Sequence, residues 1–117
     1  MAVRGCIINV QFNVGVFEMI NVTEIHMEPS NSSYLEHIAN LRWAETSEAG
    51  ERSTTYTDES TRAEMYIFVR DNPEKAYAIS RNDDRYAFLE AVNGTVQYVK
   101  TIPDSTRSDN LLSLPRY

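Results

Sequence analysis

Ala76-Tyr-Ala-Ile-Ser-Arg-Asn-Asp-Asp-Arg-Tyr-Ala-Phe-Leu-Glu-Ala-Val-Asn-Gly-Thr-Val-Gln-Tyr-Val-Lys-Thr-Ile102 is the stretch whose reading decides the fold class. It opens with a short apolar run, Ala76 to Ser80, followed by the polar turn Arg81 to Asp84. Arg85 to Val92 then sets Tyr86, Phe88 and Val92 opposite Ala87, Leu89 and Ala91, the period-two alternation of a strand with two different faces. Asn93-Gly94 separates this run from Thr95 to Ile102. Asn-Gly between two such runs predicts a hairpin closed by a type I′ turn, whose two central residues both need positive φ. The segment reads as a three-stranded antiparallel meander.

Upstream, Thr57 to Pro73 carries helix signals. Thr57 can cap, Asp58 and Glu59 suit the positive end of the helix dipole, and Asn72-Pro73 stops the run. Thr61-x-x-Glu64 offers a capping box one turn later, and Met65-Tyr-Ile-Phe-Val69 is also compatible with a buried strand. Met19 to Met27 reads as a strand and Pro29 to Ser33 as a loop. Glu36 to Ala44 reads as the next strand, with Ala39, Leu41 and Trp43 on one face and Asn40 and Arg42 on the other, so a hairpin is expected. Thr46 to Thr55 is polar, contains Gly50, and reads as a long mobile loop. Nearer the start, Ile8, Val10 and Phe12 alternate with Asn9, Gln11 and Asn13, so residues 1 to 18 are either an extra strand or an extension, and Met1 and Met19 both remain candidate starts. The expected architecture is one α+β domain over residues 1 to 117: a mostly antiparallel sheet of five to six strands with one helix packed on it and an ordered C-terminal tail.

Size and composition agree with that architecture. A 117-residue chain can bury roughly two-thirds of its unfolded surface without metals or disulfides. Its 42% hydrophobic and 24% charged residues are those of a folded globular chain. The single cysteine, Cys6, excludes an internal disulfide and supplies no C-x-x-C motif. Its apolar neighbours and the lack of an adjacent Lys or His favour a small buried hydrophobe over a reactive thiolate. The apolar N-terminal stretch is interrupted every few residues, which fits neither a signal peptide nor a membrane span. The expected compartment is the cytoplasm, and the three N-x-Ser/Thr sequons (at Asn21, Asn31 and Asn93) read as coincidence.

Net charge is −6, and its distribution is uneven. Glu45, Glu48, Glu51, Asp58, Glu59 and Glu64 face only Arg52 and Arg62 in their segment, which leaves −4 between residues 45 and 64. Nucleic-acid affinity rests on neutralising phosphates with basic side chains, and anionic membranes demand the same. Neither partner is therefore expected.

The tail, Asp104-Ser-Thr-Arg-Ser-Asp-Asn-Leu-Leu-Ser-Leu-Pro-Arg-Tyr117, combines turn formers with three leucines. Ser108 or Asp109 can cap one helical turn that inserts Leu111, Leu112 and Leu114 into a gap, a structural clamp in preference to a recognition peptide. Its oxygen-rich spacing lacks the glycine and terminal glutamate of a calcium loop, so no metal is expected. With His37-Ile-Ala-Asn-Leu-Arg-Trp43, Ala76-Tyr-Ala-Ile79 and Tyr98-Val-Lys-Thr-Ile-Pro-Asp104, the Asp109-Asn-Leu-Leu-Ser-Leu-Pro115 ending resembles an uncharacterised bacterial and phage family, domain-of-unknown-function family 3892, over about residues 19 to 117. The resemblance implies a small cytoplasmic domain and carries over no catalytic or cofactor residue.

Candidate chemistry is sparse. His26 shares a strand face with Glu24 and Glu28, and His37 neighbours Glu36, so each histidine could be oriented by a carboxylate. No nucleophile elbow, H-E-x-x-H motif or glycine-rich phosphate loop accompanies them. The leading expectation is a non-enzymatic protein-binding or regulatory module without cofactor, whose partner, expected to be basic, meets Glu45, Glu48, Glu51, Asp58, Glu59 and Glu64. One alternative is an enzyme or small-ligand domain using His26 and His37. Another is a phage-encoded inhibitor acting by protein binding or nucleic-acid mimicry. An exposed sheet edge would also permit a homodimer.

Overall fold

A computed structural model describes residues 19–53, 55–102 and 109–117. The N-terminal alternation at Ile8, Val10 and Phe12, Cys6, and the capping option at Ser108 lie outside the described residues. The described chain is α+β: one six-stranded, mostly antiparallel sheet and a single α-helix. The strands are β1 (Met19–Met27), β2 (Ile38–Thr46), β3 (Asp58–Thr61), β4 (Ala76–Ile79), β5 (Tyr86–Asn93) and β6 (Gln97–Thr101), with α1 (Arg62–Asp71) between β3 and β4. Their order across the sheet is β3-β2-β1-β4-β5-β6. Every neighbouring pair is antiparallel except β1 and β4, where Ile20, Asn21 and Val22 face Ala76, Tyr77 and Ala78 in parallel. Parallel neighbours need a long crossover, and β2, β3 and α1 supply it.

Alternation sorts the two faces. Ile20, Val22, Ile25, Leu41, Trp43, Ala76, Ala78, Leu89 and Val99 form the core with Met65, Phe68 and Val69 of α1. Those helix positions lie on the stripe that a 3.6-residue period presents to a sheet. The helix begins at the capping box: Glu64 N–H donates to Thr61 Oγ1 (3.1 Å) and Thr61 N–H to Glu64 Oε1 (2.9 Å). It stops at Asn72, whose main-chain and side-chain N–H groups both donate to the Phe68 carbonyl.

Two local expectations need correction. Thr57 does not open the helix. Asp58 to Thr61 instead forms an edge strand on β2, because Trp43 on the neighbouring strand donates its indole N–H to Ser60 Oγ (2.9 Å). No reading of the local sequence could weigh that tertiary partner. Likewise, Asn93-Gly94 does not form a type I′ turn. Asn93 pairs with Gln97, so residues 94 to 96 make the connection, and neither Asn93 nor Gly94 adopts positive φ. The hairpin itself stands, with β5 carrying Leu89 inward and Tyr86 and Phe88 on the other face.

The described tail packs against the sheet. Asp109 caps a 3₁₀ turn at Asn110–Ser113 by accepting from Leu111 N–H (2.8 Å). Its second carboxylate oxygen accepts from Thr101 N–H (2.9 Å). Leu111 and Leu114 are buried. Beyond them, Ile25 N–H donates to the Pro115 carbonyl and Tyr117 N–H to the Ile25 carbonyl (both 3.0 Å). Because β4 faces only residues 20 to 22 of β1, the chain end occupies the next stretch of that strand's edge.

Candidate functional site

The face of the sheet opposite α1 carries Asn21, Arg42, Tyr77, Tyr86 and Phe88. Tyr77 on β4 is fully buried there. Its hydroxyl lies within hydrogen-bond reach of Thr46 Oγ1 (3.0 Å) and of the Glu48 and Glu51 main-chain oxygens. Burial raises its pKa above the ordinary phenol value. The loop after β2, expected to be mobile, is thus attached to the sheet through one phenol.

That attachment shapes a cleft of about 430 Å³ between the loop, β1, the end of β4 and the tail, within the usual size of small-ligand sites. Asn21, Arg52, Thr55, Tyr56, Ile79 and Arg81 are among its lining residues, and Leu114 and Pro115 complete an apolar wall. Asn21 is only 3% exposed, yet its carboxamide hydrogen-bonds to no described group. Arg52 pairs with Asp84 (2.7 Å). Arg81 anchors its main-chain N–H on Ser113 Oγ (3.0 Å), while its guanidinium meets no described carboxylate. Nothing in the sequence singled out Asn21, one of four polar residues on β1 with Thr23, Glu24 and His26.

Beside the cleft, Arg42 on β2 is held by Glu24 (3.3 Å) and Glu59 (3.7 Å) and lies against the rings of Tyr117 and Tyr56. His26 Nδ1 meets the Tyr117 main-chain oxygen, and its Nε2 meets Glu28 (3.3 Å). That main-chain contact raises the His26 pKa above its ordinary value, against the opposing effect of burial and with help from Glu28. The expected sharing of a face by Glu24 and His26 is present, but Glu24 turns to Arg42 and Glu28 takes the imidazole. His37 lies in a 3₁₀ turn, Leu35–His37, with Nδ1 on Ser32 Oγ (2.7 Å).

The six acidic candidates are spread over the molecule. Glu51 accepts from Ser47 N–H and Oγ–H, closing its own loop. Glu59 binds Arg42, and Glu64 completes the helix cap. Asp58 accepts from Glu59 N–H (2.7 Å); strand alternation places it on the helix side of β3, with Glu59 on the other. Glu45 and Glu48 are exposed. Among the described residues no cluster of three His, Cys, Asp or Glu side chains could hold a metal ion, and no helix is long and apolar enough to cross a membrane.

No family model, curated protein or solved structure matches the chain, so the likeness to family 3892 rests on its sequence motif alone.

Proposed function

We propose that this protein is a non-enzymatic binding module that takes a small ligand in the cleft beside β1. The observation that carries the reading is Asn21: a residue only 3% exposed, whose carboxamide makes no hydrogen bond to a described group, in the wall of a cleft of ligand size. Both ring nitrogens of His26 are engaged, Nδ1 by the Tyr117 main-chain oxygen and Nε2 by Glu28, which supports binding over acid-base chemistry at that residue. The test is a fragment titration followed by two-dimensional amide NMR. Shifts should gather at the Asn21 side-chain amide, Thr55, Tyr56 and Arg81. Scattered shifts, or none, would remove the reading.

A second reading keeps a basic protein partner, in line with the overall acidity. Glu45 and Glu48 are exposed carboxylates without a described ion-pair partner, and charges so placed accelerate encounter more than they hold a complex. Replacing both with glutamine should slow association with such a partner and flatten its salt dependence. An unchanged association rate would discard this reading.

A further inference from the structure

We infer that the cleft selects a small organic monocarboxylate bearing an amide group next to its acid function, an inference that rests on the cleft being a binding site. The charges in the wall are Glu24, Arg52 and Arg81. Glu24 is engaged by Arg42 at 3.3 Å and Arg52 by Asp84 at 2.7 Å. Arg81 faces no described carboxylate, so one positive charge is left over in a chain whose net charge is −6. One uncompensated guanidinium matches a monoanion better than a dianionic phosphate and repels cationic ligands. Its planar fork suits the two oxygens of a carboxylate. Asn21 offers both a donor and an acceptor, the complement of an amide. Ile79, Leu114 and Pro115 provide an apolar wall for the body of the molecule. The Arg81 backbone is tied to Ser113, so the guanidinium extends from a fixed root.

The experiment titrates the full chain with N-acetyl-leucine and, separately, with N-acetyl-leucinamide, its uncharged counterpart, at about 0.15 M salt, reading the Asn21 side-chain amide by NMR. The acid should bind roughly tenfold more tightly than the amide, the worth of one charge-assisted hydrogen bond at a partly exposed site. Arg81→Gln should abolish that preference by bringing the affinity for the acid down to that for the amide. Equal affinities, or a preference for the acid that survives Arg81→Gln, would overturn the inference while leaving the cleft as a site. Absence of binding by both probes would overturn it too. The fragment titration then decides separately whether the cleft reading falls with it.

Discussion

The guanidinium carbon of Arg42 lies 3.8 Å from the centroid of the Tyr117 ring. The contact joins the middle of β2 to the end of the described chain. Tyr56 approaches the same guanidinium at 4.4 Å, so the loop, the sheet and the tail meet at one cation. Tyr117→Ala should cost roughly 1–3 kcal/mol in urea denaturation through lost ring packing and cation–π attraction. The Tyr117 hydroxyl is buried and makes no hydrogen bond; burial, then the Glu59 charge, raises its pKa. Tyr117→Phe should therefore stay within about 0.5 kcal/mol of the parent or gain stability. A loss above about 1 kcal/mol would reveal a working hydroxyl–Glu59 bond.

Asn110 explains the asparagine of the tail motif. It is buried, and its Nδ2 donates to the carbonyls of Ala78 (2.9 Å) and Arg85 (3.0 Å), tying β4 to the residue just before β5. Asn110→Ala should destabilise by about 1–3 kcal/mol. Asn110→Asp should cost more at neutral pH, since a carboxylate would face two carbonyl oxygens. Thermal melts that rank Asp above Ala in stability would contradict this geometry.

Removing residues 109 to 117 should abolish cooperative unfolding. Leu111 and Leu114 are buried, each contributing roughly 1.5–3 kcal/mol toward a total on the order of 5–15 kcal/mol. Differential scanning calorimetry of the shortened chain is the check, and an unchanged transition would show that the tail contributes little.

His26 should make stability depend on pH. Its folded pKa is raised above the ordinary value, first by the Tyr117 main-chain oxygen. The stabilisation is therefore complete below about pH 6.5 and is lost as pH rises through the folded pKa. Denaturation midpoints should fall across that window in the parent and change less in His26→Gln. Parallel curves would exclude His26 as the source.

Thr61→Ala should cost about 1 kcal/mol by removing one half of the capping box. Glu64→Ala removes the reciprocal bond, and the double mutant should lose less than the two single costs together. Strict additivity in chemical denaturation would mean that the two bonds act independently.

Much of the architecture was legible because its signals are local. Alternation located β1, β2, β5 and β6; the Thr61-x-x-Glu64 spacing marked one of the two helix starts considered; Asp109 and the leucines after it foretold a capped turn with apolar contacts. Asp58 to Thr61 misled, because acids and threonines ahead of an apolar run satisfy helix-start rules, whereas the bond from Trp43 to Ser60 comes from another strand. The cleft was hidden for the same reason: Asn21, Arg52 and Arg81 share no sequence pattern.

By itself, then, the sequence determined element type, a two-faced sheet and an acidic, single-cysteine chain, because periodicity, capping and charge act between near neighbours. Tertiary structure alone decided the parallel β1–β4 pairing, which acids serve the fold, and where the tail lies. Those outcomes depend on which hydrogen-bonding edges and unpaired charges are brought together once the chain has closed, and residues distant in sequence become neighbours only then.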